Sequence, residues 1–205
     1  MLDSQALDLE IVKVVGNRFA APPAPGYLLF TGKKEIMHLL VIRHGIAEDQ
    51  QEFAKAGRAD ALRPLTRAGK KKMREGARGL KKLVPEISTL ATSPLKRAVQ
   101  TAKIVGAKYD IKPLTIASLS PRKPFSQLLD WLQKNAEPTS TVAIVGHEPH
   151  LSTFVGWMLT GLKETFIDLK KGGAILLEIE GEMKAGRAKL IWSVRPCALR
   201  KLGHK

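Results

Sequence analysis

Cysteine is nearly absent. Cys197 is the only one in 205 residues, so no internal disulfide forms, no thiolate pair exists to hold zinc, and a reducing cytoplasm fits best. Aromatic residues make up 5% of the chain, which leaves little for stacking on single-stranded nucleic acid. No window reaches the roughly 18 to 20 uncharged apolar residues of a membrane-spanning helix. The N-terminus opens with Asp3, Asp8 and Glu10 where a secretory signal would carry bases, so no export signal is expected. Acids are also scarce: 19 Asp and Glu face 34 Lys and Arg, leaving a formal charge of +15. Such an excess points to nucleic acid, acidic lipid or an anionic substrate or partner. Residues 1 to 36 hold four bases and four acids, so the whole excess belongs to residues 37 to 205.

With 44% hydrophobic and 26% charged residues, the chain has the composition of one ordinary globular domain. The run Ala20-Ala21-Pro22-Pro23-Ala24-Pro25-Gly26 argues against a core element, because its prolines lack donors. Residues 1–36 therefore read as an N-terminal extension, disordered or the product of a misassigned start, and residues 37–205 as the domain. Met37 to Ile42 is a short apolar run fit for a buried parallel strand. Thr66 caps an expected helix to Leu83, stopped by Pro85. Ile87 to Thr92 reads as a strand leading to Pro94, placed at the first turn of a helix to about Lys108. Further helices are expected over Phe125 to Asn135 and Pro149 to Leu159, a central strand over Thr141 to Val145, and a closing hairpin over Ala174 to Ile179 and Lys189 to Val194. This alternation predicts an α/β fold, a three-layer α/β/α sandwich around a mostly parallel sheet.

Three polar clusters each follow an apolar strand: Arg43-His44-Gly45, Ser93-Pro94-Leu95-Lys96-Arg97 and Gly146-His147. In a parallel sheet all three strand ends share one edge, the edge at which open α/β folds bind ligands, so two histidines and two arginines converge there. Two guanidinium groups crowded together repel unless an anion lies between them, and their planar forks match phosphoryl oxygens. A neutral imidazole beside that clamp can attack phosphorus and form a phosphohistidine that water resolves. A second histidine would balance charge spreading over the equatorial oxygens. This is phosphoryl transfer that calls for no metal and no cofactor, and no His and carboxylate spacing argues for a metal site.

The segment Leu40-Val41-Ile42-Arg43-His44-Gly45 resembles the Arg-His-Gly signature of the histidine phosphatase superfamily, with its phosphoglycerate mutase-like fold. Arg63-Pro64-Leu65-Thr66 with Gly69, Ser93 to Ala102, Val145-Gly146-His147, and the ending Trp192 to Leu199 are similar to the SixA-type phosphohistidine phosphatases. The resemblance covers about residues 37 to 202. It implies that His44 is the nucleophile, that Arg43 and Arg97 clamp the phosphoryl group, and that His147 contacts its oxygens and stabilises the transition state. Ser93 and Arg63 are further phosphate-binding candidates, although Ser93 can equally cap its helix.

Mutases and many metabolite phosphatases of the superfamily carry a glutamate acid in an insertion between the second and third motifs. Residues 98 to 146 hold only Asp110, Asp130 and Glu137 as acids, and the stretch Ala117 to Pro121 has none. A phosphorylated histidine releases an imidazole whose conjugate acid has a pKa of roughly 6.5, so it leaves with little help, whereas an alkoxide needs a proton. The absence favours P–N substrates. Glu48, Asp49 and Glu148 lie beside motifs, but loop carboxylates are usually solvated. The expected substrate is thus a phosphohistidine protein of a phosphorelay or phosphotransfer pathway, or else a small phosphomonoester. A third reading, from another class, is a basic nucleic-acid-binding protein, against which the intact motif set speaks. A membrane partner is not expected. The segment Arg67 to Lys82 carries eight bases against Glu75, which is either a solvated face or a docking surface for an acidic phosphoprotein.

Overall fold

A computed structural model describes residues 35–204. The expected extension therefore lies outside the described residues except for Glu35 and Ile36. The first strand, β1 (Ile36–Arg43), begins one residue before Met37. It is followed by α1 (Gln50–Lys55), α2 (Arg67–Leu83), β2 (Thr89–Thr92), α3 (Lys96–Tyr109), β3 (Leu114–Thr115) and α4 (Phe125–Asn135). The chain then forms β4 (Thr141–Gly146), α5 (His150–Thr160), β5 (Ala174–Glu180), β6 (Ala188–Val194) and α6 (Pro196–His204).

The strands make one sheet in the order β3-β2-β4-β1-β5-β6. β1, β2, β3 and β4 run parallel, and the β5–β6 hairpin joins antiparallel at β1. The centre of β1, Leu39 to Ile42, is an uninterrupted apolar run because both of its faces are covered. Leu40 and Ile42 point into one core with Met73, Ala77 and Leu80 of α2, Ala98, Ala102 and Val105 of α3, and Leu199 of α6. Leu39 and Val41 point into the other, with Leu128 and Leu132 of α4 and Leu151, Phe154, Val155 and Met158 of α5. The period-two alternation of β1 thus builds both cores of the α/β/α sandwich.

The expected elements hold within a few residues, with two physical adjustments. Pro94 does not occupy the first turn of α3, which starts at Lys96 after Leu95 as N-cap. Pro94 instead belongs to the turn between strand and helix. The strand expected from Ile87 is four residues long, because pairing with β4 begins only at Thr89. Thr66 does cap α2, its hydroxyl accepting from Gly69 N–H at 2.9 Å. The loop after β1 presses on this helix start so closely that a Cβ at Gly69 would sit 2.0 Å from the Ile46 carbonyl oxygen, which is why glycine stands there.

Candidate active site

Arg43 ends β1 and His44 follows it, hydrogen-bonded through its N–H to the Gly146 carbonyl at 3.1 Å. Ser93 follows β2 and is tied the same way to Val145 at 3.0 Å. His147 follows β4. The three strands are neighbours in the sheet, so the three clusters meet at one carboxyl edge, beneath a cleft of about 1000 Å³. Arg43, His44, Arg63, Arg97 and His147 all line it. Ser93 does not; it is fully buried behind His147.

One hydrogen bond fixes the tautomer of His44. His44 Nδ1 donates to the Gly45 carbonyl at 2.7 Å, so Nε2 keeps its lone pair. Burial, with Arg97, Arg43 and Lys171 adding repulsion and the Gly45 carbonyl opposing, pulls its pKa from 6.5 down to about 4. His44 is therefore neutral and nucleophilic near pH 7. His147 stands 5.0 Å from it, ring centre to ring centre. Its Nε2 is 2.8 Å from Ser93 Oγ, which already accepts the Leu95 N–H. His147 Nδ1 is buried with no hydrogen-bond partner among the described residues. Burial first, then His44 and Arg97, lowers the His147 pKa to about 3.

The arginines are held from behind. Arg43 donates to the Leu169 carbonyl at 2.7 Å. Arg97 donates to the Asp60 carbonyl and carboxylate, both at 3.0 Å, and Arg63 Nε reaches the other Asp60 oxygen at 2.8 Å. Asp60 thus spaces two guanidinium groups that would otherwise repel. Partial burial works against its charge, yet the Arg63 hydrogen bond and Arg97 keep its carboxyl below the usual range. The Nε atoms of Arg43 and Arg97 remain buried without acceptors. With His147 Nδ1 they make three buried nitrogens without partners on residues lining one cleft, and an oxyanion there relieves the two arginine donors. Thr101 ties the pieces together, accepting the Gly45 N–H at 3.0 Å and donating to the Arg97 carbonyl at 2.8 Å. Beside His44, Gly172 at φ +80° donates its N–H to both the Arg43 and His44 carbonyls, a backbone conformation that favours glycine.

Residues 39–121 match the histidine phosphatase superfamily (branch 1). An uncharacterized protein of Picosynechococcus sp. is 35% identical over 141 residues, covering 68% of this chain and 83% of that protein. The chain belongs to the histidine phosphatase superfamily. Among solved structures, the protein histidine phosphatase SixA complexed with tungstate superposes with a TM-score of 0.66 at 25% identity, over 80% of this chain and 99% of that one. Phosphoserine phosphatase from Entamoeba histolytica, in complex with 3-phosphoglyceric acid, superposes at 0.56 and 18% identity, over 80% and 99% of the two chains, and shares the fold.

This histidine phosphatase holds site residues that its sequence did not announce. Asp60 lies 37 positions from Arg97, in a short 3-10 turn that no strand-end pattern marks. Glu148 was visible beside His147 but unassigned. It lines the cleft, and its Oε2 accepts from the Ser152 hydroxyl while Oε1 is buried without a partner. Burial, opposed by Ser152 and Arg43, raises its pKa. Lys171 adds a cation at the rim. His150, which had no evident role, packs on Phe125 and meets the Lys123 carbonyl at 3.0 Å. Among the described residues, no three His, Cys, Asp or Glu side chains cluster so as to hold a metal ion, and no helix is long and apolar enough to cross a membrane.

Proposed function

We propose that this histidine phosphatase hydrolyses phosphohistidine on proteins, through a phosphorylated His44, in a reducing cytoplasm. The observation that carries the reading is the neutral His44 in a cleft shared with Arg43 and Arg97, whose buried Nε–H groups lack acceptors among the described residues. His44 Nε2 attacks phosphorus; the new P–N bond forms as the bond to the substrate imidazole breaks. The bonding pair stays on the departing nitrogen, and the substrate ring, protonated on its other nitrogen, leaves as neutral imidazole. Arg43, Arg97 and His147 contact the phosphoryl oxygens as charge spreads over them. Water then attacks phosphorus, the His44 P–N bond breaks, and inorganic phosphate departs. The likeness to SixA, named a protein histidine phosphatase, supports the P–N substrate.

One observation favours a second reading, a small-molecule phosphomonoesterase. Glu148 is a cleft carboxyl with a raised pKa, suited to give an alkoxide its proton. The two are separated by steady-state rates, with chelator present, on a phosphohistidine-bearing phosphotransfer domain, phosphoramidate, p-nitrophenyl phosphate and a sugar phosphate. The expected kcat/KM on the P–N substrates exceeds that on the monoesters by at least about 100-fold, a difference of about 2.7 kcal/mol in transition-state stabilisation. Turnover confined to monoesters would replace the first reading with the second.

A further inference from the structure

Most of the net positive charge of this protein lies on one side of its sheet. α2 carries eight Lys and Arg against one Glu, α3 four against none, and α6 two against none. These three helices cover one face and supply 13 of the 15 net charges. On the opposite face α4 has one base and one acid, and α5 has neither.

This distribution works against local stability. Arg67, Lys71, Arg74 and Arg78 recur at i, i+4, i+7 and i+11 and are all exposed, so like charges stack in a stripe along the helix. The first turn of α2 holds Arg67 and Lys70 and no acid, against the sense of the helix dipole. Arg78 has a structural use, donating to the Gly203 carbonyl at 3.1 Å, and Lys81 lies over the Tyr109 ring at 4.5 Å. Arg67, Lys71, Lys72 and Arg74 make no ion pair among the described residues. A sequence that keeps unfavourable charges with no fold role keeps them for something outside the fold.

The stripe starts at the catalytic edge. Thr66, immediately before Arg67, bonds through its N–H to Ile46, two residues past His44. Lys96 begins α3 beside Arg97, and Lys171 lines the cleft. His44 and His147 are buried, so a phosphohistidine must enter the cleft while the body of its protein rests on the surrounding rim. We propose that the α2/α3/α6 face docks a protein whose surface around the phosphorylated histidine is rich in Asp and Glu. This rests on the phosphohistidine reading above. Two other anionic partners fit less well. A lipid surface is better held by apolar side chains that embed, and the exposed large hydrophobic residues, Leu62, Leu114, Leu162 and Phe166, lie on none of these helices. A single nucleic-acid strand needs exposed aromatics, and Tyr109, the one aromatic in the three helices, is buried with its hydroxyl on the Val84 carbonyl.

The test is R67E/K71E/K72E/R74E, four exposed positions outside the cleft, read with three probes. These are an acidic histidine phosphotransfer domain, phosphorylated for turnover and unphosphorylated for titration; phosphoramidate; and a 20-base-pair duplex DNA. On the phosphorylated domain at 50 mM salt, kcat/KM should fall at least about tenfold, and the gap should close at 300 mM. Phosphoramidate turnover should stay within about twofold, which also certifies the fold. The milder K71Q/K72Q/R74Q should lose about threefold on the domain alone. Equal rates of variant and wild type on the domain, or a parallel loss on phosphoramidate, overturn the proposal. So does duplex binding that is tighter than domain binding and abolished by the reversal. Wild type that binds the unphosphorylated domain through these charges but turns over no P–N substrate sinks the phosphohistidine reading and leaves the docking face standing.

Discussion

The two helical layers cover opposite faces of the same sheet, yet their charge has almost nothing in common. The α2/α3/α6 layer is a cationic surface, while the α4/α5 layer is near neutral and carries an aromatic group of Phe125, Phe154 and Trp157. Covering a sheet requires only an apolar stripe on each helix, so the contrast outside that stripe reports on function instead of folding. The same lesson applies to arginine. Arg43 and Arg97, held by Leu169 and Asp60, line the cleft, whereas Arg67 and Arg74 make no ion pair among the described residues and belong to the proposed docking face.

The largest effect belongs to the edge between the layers. Arg97→Lys keeps the charge but loses the fork, and a fall in kcat of at least about 100-fold is expected on P–N and P–O substrates alike. A protein-only loss would move Arg97 to the docking surface. Asp60→Ala frees both Arg97 and Arg63 from their spacer, and we expect about 10-fold to 100-fold lower kcat/KM on phosphoramidate; unchanged turnover would make Asp60 a surface residue. Glu148→Gln sharpens the choice of substrate. It should lower monoester turnover about 10-fold or more while leaving phosphohistidine within about twofold, as expected of a proton donor. The smallest effect is the control on the other face: Gln127→Glu with Lys134→Glu on α4 should leave every rate within about twofold. A loss there equal to that of the α2 reversal would erase the distinction between the layers.

Much of this was legible in the sequence because it is written in short-range patterns. The apolar runs of β1 and β4, the Thr66 cap and the closing hairpin expected over Ala174 to Ile179 and Lys189 to Val194 placed the sheet and its helices, and strand-end position alone grouped Arg43, His44, Arg97 and His147. Other parts were not legible for physical reasons. α6 buries only Leu199 and α1 only Phe53, so neither brings a run of core positions that would mark it in the sequence. β3 has two residues and is exposed. Asp60 acts through a loop whose path depends on tertiary packing, and Ser93, read as a phosphate ligand or a helix cap, is engaged with His147 and with the Leu95 N–H. The raised carboxyl of Glu148 follows from burial beside Ser152, a property of the fold that its neighbours in sequence do not reveal.

The central claim is that a neutral His44 becomes phosphorylated. Its folded pKa of about 4 lies below the ordinary 6.5, so the lone pair on Nε2 persists as pH falls below 6.5 and is lost only as pH falls through about 4. Rapid-quench reaction with phosphoramidate at pH 5, 6 and 8, followed by alkaline work-up and peptide mass spectrometry, tests this directly. Phosphate on the His44 peptide, formed at comparable rates at all three pH values and absent in His44→Ala, is the predicted result. Label on another residue, turnover surviving His44→Ala, or labelling that fades tenfold or more between pH 6 and 5 would contradict it.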